Sequence, residues 1–382
     1  MRFFKKTRMG SFVERPNRFV LVCELDGETI RAYLPNPGRL QELLFPGVAV
    51  WLEESDDPGR KLAYTAVAVA DWRGEPVVLH THKMNDVAQY LLERRLVPGL
   101  EGARIVGREV TRGRSRFDFL LEEGEREILL EVKSCTLFSK RVAMFPDAVT
   151  ARGRKHVEEL GELSRGRTRG VVLFLVNSLR PEIFLPDFHT DLAFSRALFD
   201  VRGKIKIIPL GIGWTRKLAL RKKIRLLNIP WECVERDAHD SGCYLVVLRL
   251  RRARSIEVGR LGCIRFEPGF YTYIGSAKRS LSKRIERHRR LRKKMHWHID
   301  YLRAVSEWHE VLPVLSADDL ECSIALALRE AAQGVIPTFG SSDCNCDSHL
   351  VWSKNDPLHT RVFHEPLQRF RMERLRFCQP EY

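Results

Sequence analysis

Asp118, Glu131 and Lys133 lie in one short stretch, SRFDFLLEEGEREILLEVKS, at residues 115–134. Two neighbouring carboxylates repel each other and are costly to desolvate, so unless one stays protonated they want a cation between them. Oxygen ligands from one or two carboxylates, completed by water and substrate phosphate, are the usual surroundings of Mg²⁺, and Mn²⁺ accepts the same set. A lysine two residues beyond Glu131 could stabilise developing negative charge or orient an attacking water. The competing reading of these letters is an exposed strand face carrying ordinary charges.

A second group lies in the last third of the chain. In SAKRSLSKRIERHRRLRKK (276–294), Leu281, Arg284, Ile285 and His288 recur at i, i+3, i+4 and i+7, one face of a helix. Arginine and histidine are thereby embedded in the inward-turning stripe, where an arginine needs an anionic partner, either a substrate phosphate or a core acid. Lys283, Arg287, Arg290 and Lys294 occupy a different face, and residues 278–294 hold ten basic residues against one acid, Glu286. On a further helix expected over 318–333, after a capping-box-like Ser316-x-x-Asp319, Glu321 shares the inner face with Ile324, Ala325 and Leu328. His296 and His298 beside Trp297 could touch phosphate or a stacked base, and with Asp300 could bind metal. Cys344-x-Cys346-x2-His349 offers three zinc ligands where a structural site wants four, with Cys322 or His359 as the available fourth. On that count zinc is not expected.

These residues need particular elements to position them. Around 115–134, Phe117, Phe119 and Leu121 alternate with Asp118 and Leu120, and a return strand follows a turn at Glu123–Gly124. That hairpin sets Asp118 beside Glu131, with Lys133 on the same face. Upstream, short alternating segments at 18–25, 28–34, 48–54, 62–70 and 76–80, with a hairpin turn at Asp26–Gly27, suit a small barrel. Asn36-Pro37-Gly38-Arg39 reads as a tight turn whose N–H groups and Arg39 guanidinium could hold a phosphate, or as an ordinary connection. A helix at 85–96 capped by Asn85, a strand at 103–110, the hairpin, a basic helix near 150–163 and strands at 171–177 and 204–212 around a helix near 189–200 complete the first part. Arg152 and Lys155, three apart, share a face able to meet a phosphate backbone. Residues 221–237 read as a connection. Strands YLVVLRL and GFYTYIG then precede the basic helix.

The chain has 382 residues, enough for two or three domains, with 44% hydrophobic and 30% charged residues. Lysine and arginine total 65 against 49 acids, a net charge of +16, which favours a polyanionic partner. No uncharged apolar run reaches membrane-span length, and MRFFKKTRMG lacks a signal-peptide core, so a cytoplasmic protein without membrane association is expected. Nine scattered cysteines suggest reduced thiols.

Taken with LPNPGRL at 34–40 and AMFPDAVTARGRKHVEEL at 143–160, the D-x12-E-x-K spacing closely resembles the sugar fermentation stimulation protein A family over about residues 1–220. That resemblance implies an oligonucleotide-binding (OB)-like barrel at 1–82 and a PD-(D/E)xK-type nuclease core at 83–220, with DNA binding and inferred nuclease activity. Gly242-Cys243-Tyr244 and Tyr273-Ile274-Gly275, followed by Arg284, His288, HWHIDYL (296–302) and FGSSDCNCDSHL (339–350), resemble GIY-YIG nucleases of the URI-type DUF123 branch over 238–365. The departure is Cys243 at the middle position. The two resemblances imply an α/β and α+β multidomain protein ending in a basic segment at 366–382. They imply Mg²⁺ or Mn²⁺ held by Asp118 and Glu131 in one module and by Glu321 in the other, Glu330 being the reserve for Glu321. Tyr244 would be base or water-positioner, Tyr273 would position substrate or water, Arg284 would steady the scissile phosphate, and His288 would be a further catalytic residue. Arg39, Arg152, Arg154, Lys155, Lys283, Arg287 and His298 would meet nucleic acid, DNA before RNA, and a homodimer is left open.

The expected function is thus metal-dependent hydrolysis of phosphodiesters by two modules. The rival is a non-catalytic DNA-binding regulator of sugar metabolism, with one or both sites inactive, since fold does not establish catalysis. The carboxylates at 118, 131 and 321 separate the two, because a pure phosphate binder gains by losing them. A sugar-metabolising enzyme has no motif behind it.

Overall fold

The first strand of the N-terminal barrel is one the sequence pattern hides. The computed structural model of the protein describes residues 1, 3–57 and 59–377. Strands β1 (Thr7–Asn17), β2 (Val20–Leu25), β3 (Glu28–Tyr33), β4 (Ala49–Glu54) and β5 (Tyr64–Ala70) pair in the cyclic order β1–β2–β3–β5–β4–β1, and β6 (Pro76–Val78) extends β5. This is an OB-like five-stranded barrel. In β1 only Phe12 is buried, so no alternation betrays it, whereas β2 to β6 fall on the expected segments. Closure comes from the parallel pairs Ala32–Tyr64 and Tyr33–Thr65.

Helix α1 (Lys83–Glu93) leads from the barrel into a six-stranded mixed sheet. Its N-cap is His82 rather than Asn85. Strands β7 (Arg104–Arg112), β8 (Ser115–Glu123) and β9 (Arg126–Cys135) form an antiparallel meander, with the turn at Gly124–Glu125, one residue later than expected. A small three-stranded sheet follows from β10 (Leu137–Phe138) and β11 (Val142–Phe145), strands the sequence reading did not name. Helix α2 (Ala151–Leu163) then leads to β12 (Thr168–Val176), parallel to β9, and β13 (Ile183–Pro186) completes the small sheet beside β11. Helix α3 (Leu192–Val201) leads to β14 (Lys206–Trp214), parallel to β12. Residues read as a connection carry structure: β15 (Leu220–Leu226) pairs antiparallel with β14, and α4 (Trp231–Asp237) follows. β15 is an edge strand whose exposed Arg221, Lys222 and Lys223 hide its strand character, charges that suit an unpaired edge. The chain divides into two compact units after Val234.

In the second unit, β16 (Gly242–Leu250) is joined to β19 (Gly269–Ala277) through a ribbon of β17 (Arg254–Glu257) and β18 (Cys263–Phe266). Helices α5 (Leu281–Arg289) and α6 (His298–Arg303), β20 (Glu307–Leu315), α7 (Glu321–Ala331), β21 (Gly334–Val335), β22 (Leu350–Ser353) and α8 (Arg361–Arg371) follow. The sheet is antiparallel in the order β20-β16-β19-β22-β21. The basic helix is shorter than its charge run, ending at Arg289, and α7 begins at Glu321 instead of after Ser316. Residues from 366 onward, expected as a tail, continue α8 and bury Leu367, Met372 and Leu375; the part from 378 lies outside the described residues. Among the described residues no helix is long and apolar enough to cross a membrane.

The core of the first unit centres on β12, buried without interruption from Gly170 to Val176, as expected for a strand with parallel neighbours on both sides. Phe174 is fully buried, with ring centroids 4.5 Å from Phe184 and 5.2 Å from Phe145. Phe174→Ala should cost about 3–5 kcal/mol. Urea denaturation followed by circular dichroism should show this as a lowered midpoint, with the exposed Met9→Ala within about 0.5 kcal/mol of wild type.

Candidate active sites in the two units

The first site forms where the β8–β9 ladder gives way. Backbone pairing runs from Glu123–Arg126 to Phe119–Leu130, and Asp118 stands at the next step, level with Glu131. There the Asp118 carboxylate replaces the ladder: Oδ2 accepts the Val132 N–H at 2.7 Å, and Oδ1 accepts from Asn85 Nδ2 on α1, also at 2.7 Å. Glu131 is 4% exposed. Its Oε1 receives Lys133 Nζ at 2.5 Å and His156 Nδ1 at 2.6 Å, while Oε2, equally buried, has no hydrogen-bond partner. Arg152 Nε donates to His156 Nε2 at 3.4 Å, which fixes Nδ1 as the protonated nitrogen facing Glu131.

The electrostatics follow from these contacts. Burial, then the charge of Glu131, raises the Asp118 pKa above the ordinary carboxylate value. Burial pushes Glu131 the same way, but the His156 hydrogen bond and Lys133 outweigh it, and its net shift is downward. The site therefore holds a charged glutamate with a bare buried oxygen beside an aspartate whose charge is resisted. A cation that meets Oε2 would satisfy that oxygen and relieve the repulsion, so the donor set fits a hard divalent ion. His156 and Asn85 belong to this site although neither was singled out for it. The signal for His156 was its helical spacing with the buried Val157 and Leu160; Asn85 looked like a cap.

The basic residues on α2 lie outside this cluster. Lys155 is exposed, Arg152 is exposed apart from its contact to His156, and Arg154 pairs with Glu158 at 3.8 Å. The Asn36–Arg39 turn does not offer the expected free N–H groups. Gly38 N donates to Asn36 Oδ1 at 2.8 Å and Leu40 N to the half-buried Asp147 at 3.3 Å, while Arg15 donates to the carbonyls of Asn36 and Arg39. An added Cβ on Gly38 would fall on the Asp147 carboxylate, so glycine here serves close packing, and Arg39 itself is exposed.

In the second unit the two tyrosines are set by the β16–β19 ladder, in which Tyr244 pairs with Gly275 and Val246 with Tyr273. Tyr244 lies across Gly275: a Cβ there would come within 2.5 Å of the Tyr244 hydroxyl. Tyr244 Oη is 2.8 Å from His288 Nε2, and His288 Nδ1 faces Asp300 Oδ1 at 3.6 Å. With Nδ1–H toward the carboxylate, Nε2 keeps a lone pair to accept the Tyr244 proton. Asp300 is fully buried, pairs with Arg287 at 3.1 Å and Lys293 at 2.8 Å, and accepts the backbone N–H groups of His296 and Trp297. Burial alone would raise its pKa, but His288, Lys293 and Arg287 together drag it far below the usual carboxylate range. Lys293 curling onto Asp300 also accounts for the short helix.

A cavity of about 210 Å³ opens onto this chain of groups, lined by Tyr244, Tyr273, Ser276, Arg284, His296, Trp297, His298, Glu321, Gly340, Ser342 and Asp343. Arg284 donates to the Ser276 carbonyl at 2.8 Å and stacks 5.1 Å from the Trp297 ring centre. Arg287 stacks 4.2 Å from the same ring, so with its Asp300 pair it is a structural residue of the network, not a member of an open basic face. Lys283 is exposed. Glu321 Oε2 accepts from Ser276 Oγ, and Oε1 accepts from His349 Nδ1 at 2.9 Å. Glu330 is exposed. His298 Nδ1 accepts the Gly340 N–H at 3.1 Å. Burial pushes both tyrosine pKa values well above normal and the Cys243 thiol up to about 12, leaving Cys243 an inert strand residue. Burial also lowers His288, so it is neutral at neutral pH.

Comparison with known proteins matches three consecutive parts of the chain. Residues 13–79 match the SfsA N-terminal OB domain, 82–217 the sugar fermentation stimulation protein RE domain, and 243–372 a domain of unknown function, DUF123. A sugar fermentation stimulation protein homolog of Methanothermobacter thermautotrophicus is 41% identical over 231 residues, 56% of this chain and 92% of the relative. One from Shouchella clausii is 45% identical over 166 residues, 43% of this chain and 71% of the relative. The structure of Pyrococcus furiosus SfsA in complex with Ca²⁺ is similar at 28% identity and a TM-score of 0.54, covering 60% of this chain and 99% of that one. With nearly the whole length of such relatives matched in its first unit, the chain belongs to the sugar fermentation stimulation protein family and carries a DUF123 domain after it.

Proposed function

We propose that the protein is a divalent-metal-dependent nuclease with two phosphodiester-hydrolysing modules, the first of PD-(D/E)xK type and the second of GIY-YIG type, acting on DNA. The observation that carries the proposal is Glu131, a buried carboxylate held charged by His156 and Lys133 with one oxygen left bare. A residue serving only the fold has no use for an unsatisfied buried acceptor, which costs about 1–3 kcal/mol. A structure similar over this part of the chain was solved in complex with Ca²⁺, another oxygen-seeking cation.

Asp118 and Glu131 would hold Mg²⁺ or Mn²⁺, which when bound would neutralise phosphate charge and make water a better nucleophile. Asn85 and the Val132 N–H orient Asp118, and His156 orients Glu131. Lys133 places an ammonium at the edge of the pair, where it can meet the charge that develops on phosphate. In the second module Glu321 would hold the ion, oriented by Ser276 and His349. There the chain itself supplies the proton acceptor. The Tyr244 phenol is too weak an acid to ionise unaided, but as it takes a proton from water it can pass its own to His288 Nε2, and Asp300 offsets the charge that arrives. Arg284, braced on Ser276 and Trp297, faces the cavity where a phosphate would sit. The net charge of +16 favours a polyanionic substrate.

Labelled DNA and RNA, single- and double-stranded, incubated with Mg²⁺ or Mn²⁺ should be cut by wild type. Glu131→Gln and Glu321→Gln should each abolish the share belonging to one module without weakening binding. Salt-sensitive binding with no cleavage of any substrate would replace the nuclease reading with that of a nucleic-acid binder. In a Glu131→Gln background, cleavage by the second module should hold steady as pH falls to about 6.5 and decline only below it. The sign follows from His288, which accepts a proton only when neutral and whose pKa lies below the ordinary value. His288→Gln should reduce this residual rate by about 10²-fold or more. A rate that already falls by half near pH 8, or a variant as fast as its parent, would remove His288 from the relay.

A further inference from the structure

The loop that walls one side of the Tyr244 cavity has almost no regular structure of its own. Between β21 and β22, residues 336–349 are closed by three backbone bonds: Ile336 N to Leu350 O, Thr338 N to Asp347 O and His349 N to Phe339 O. Within and beside it the fold gathers what the sequence spacing leaves one ligand short. Cys344 and Cys346 from the loop, His349 at its end and Cys322 on the first turn of α7 bring their ligand atoms within 4.8 Å of one another. Cys344 Sγ is 3.4 Å and Cys322 Sγ 3.9 Å from the same nitrogen, His349 Nε2. In a tetrahedral zinc centre, with Zn–S near 2.3 Å and Zn–N near 2.0 Å, neighbouring ligand atoms stand roughly 3.5–3.8 Å apart. The other fourth-ligand candidate, His359, is engaged with Asp356 at 3.8 Å.

The second nitrogen of the imidazole completes the pattern. His349 is 2% exposed and its Nδ1 faces Glu321 Oε1 at 2.9 Å, leaving Nε2 as the lone-pair nitrogen aimed at the thiols. A ligating histidine whose other N–H is held by a carboxylate is the usual arrangement around zinc. We propose that Cys322, Cys344, Cys346 and His349 form a structural Zn²⁺ site that ties the 336–349 loop to the start of α7 behind the cavity. Four protein ligands close the coordination shell, so this ion has no open position for water and is separate from any hydrolytic metal. The site sits one residue from Glu321, and the loop it anchors supplies Gly340, Ser342 and Asp343 to the cavity wall. The zinc assignment stands apart from the nuclease proposal, because it rests on ligand chemistry and not on hydrolysis.

Elemental analysis of the full chain purified without chelator should find one zinc per molecule. Cys344→Ser and Cys346→Ser should lose it, and Cys263→Ser, an exposed cysteine on the β17–β18 ribbon, should keep it. If the ligand variants fail to fold, the folded wild type still decides the matter. Titration with an organomercurial should release zinc to a chromogenic chelator as the thiols are modified, and Co²⁺ exchanged into the site should show the intense visible bands of a tetrahedral thiolate centre. Hydrogen exchange should show the Thr338 and His349 amides protected with zinc and fast-exchanging once it is stripped. Wild type without bound metal, iron in place of zinc, or a weak octahedral Co²⁺ spectrum would overturn the proposal.

Discussion

A carboxylate taken out of water must be matched by donors or cations, and that requirement organises both units. Glu131 and Asp300 are nearly or wholly inaccessible to solvent. Each is kept charged by nearby donors: Lys133 on its own strand and His156 on α2 for the first, Arg287 and His288 on α5 and Lys293 just beyond it for the second. Glu131 thereby ties β9 to α2, and Asp300 ties α6 to α5 and the segment that follows it. The two solutions differ in one respect. Asp300 is fully compensated within the chain, whereas the pair of Asp118 and Glu131 retains a bare oxygen and an opposed charge.

The difference shapes how each module would work. In the first, the protein contributes a fixed negative pocket and one ammonium. In the second, the protein contributes a prepared path for a proton from Tyr244 to a neutral imidazole already poised against a buried anion. The basic residues near the path are tied down by Asp300 and Trp297, so the positive charge above the cavity is oriented rather than diffuse.

Legibility in the sequence tracks periodicity. The hairpin that brings Asp118 to Glu131 was readable because Phe117, Phe119 and Leu121 alternate, and E-x-K places two side chains on one face by the same period of two. The tyrosines were readable from their motif, and the register Tyr244–Gly275 explains the glycine physically: only hydrogen fits beneath the ring. β1 was not legible, since a strand that buries only Phe12 carries no pattern, and β15 was masked by the charges that protect an edge. His156 and Asn85 were hidden for a different reason. A helix position shows which way a side chain turns, but the partner it meets is set by how the helix docks on the sheet. Cys322 was nameable as one of two candidates to join the C-x-C-x2-H cluster, but only the docking of α7 decides between it and His359.

The ribbon between β16 and β19 lies outside the ladder that sets the tyrosines, although Val258 and Phe266 anchor it in the core. Tyr244 and Tyr273 hold their relation through a ladder that runs from Gly242–Ala277 to Leu250–Gly269, so the turn of β17 and β18 at Val258–Gly262 lies beyond its last rung. Residues can be gained or lost there without altering the register that sets the tyrosines. The turn is still tied to the domain, since Val258 is fully buried and a side chain at Gly259 would meet Tyr301 of α6, so a change in its length would be felt not by the tyrosines but by the helix that carries Asp300.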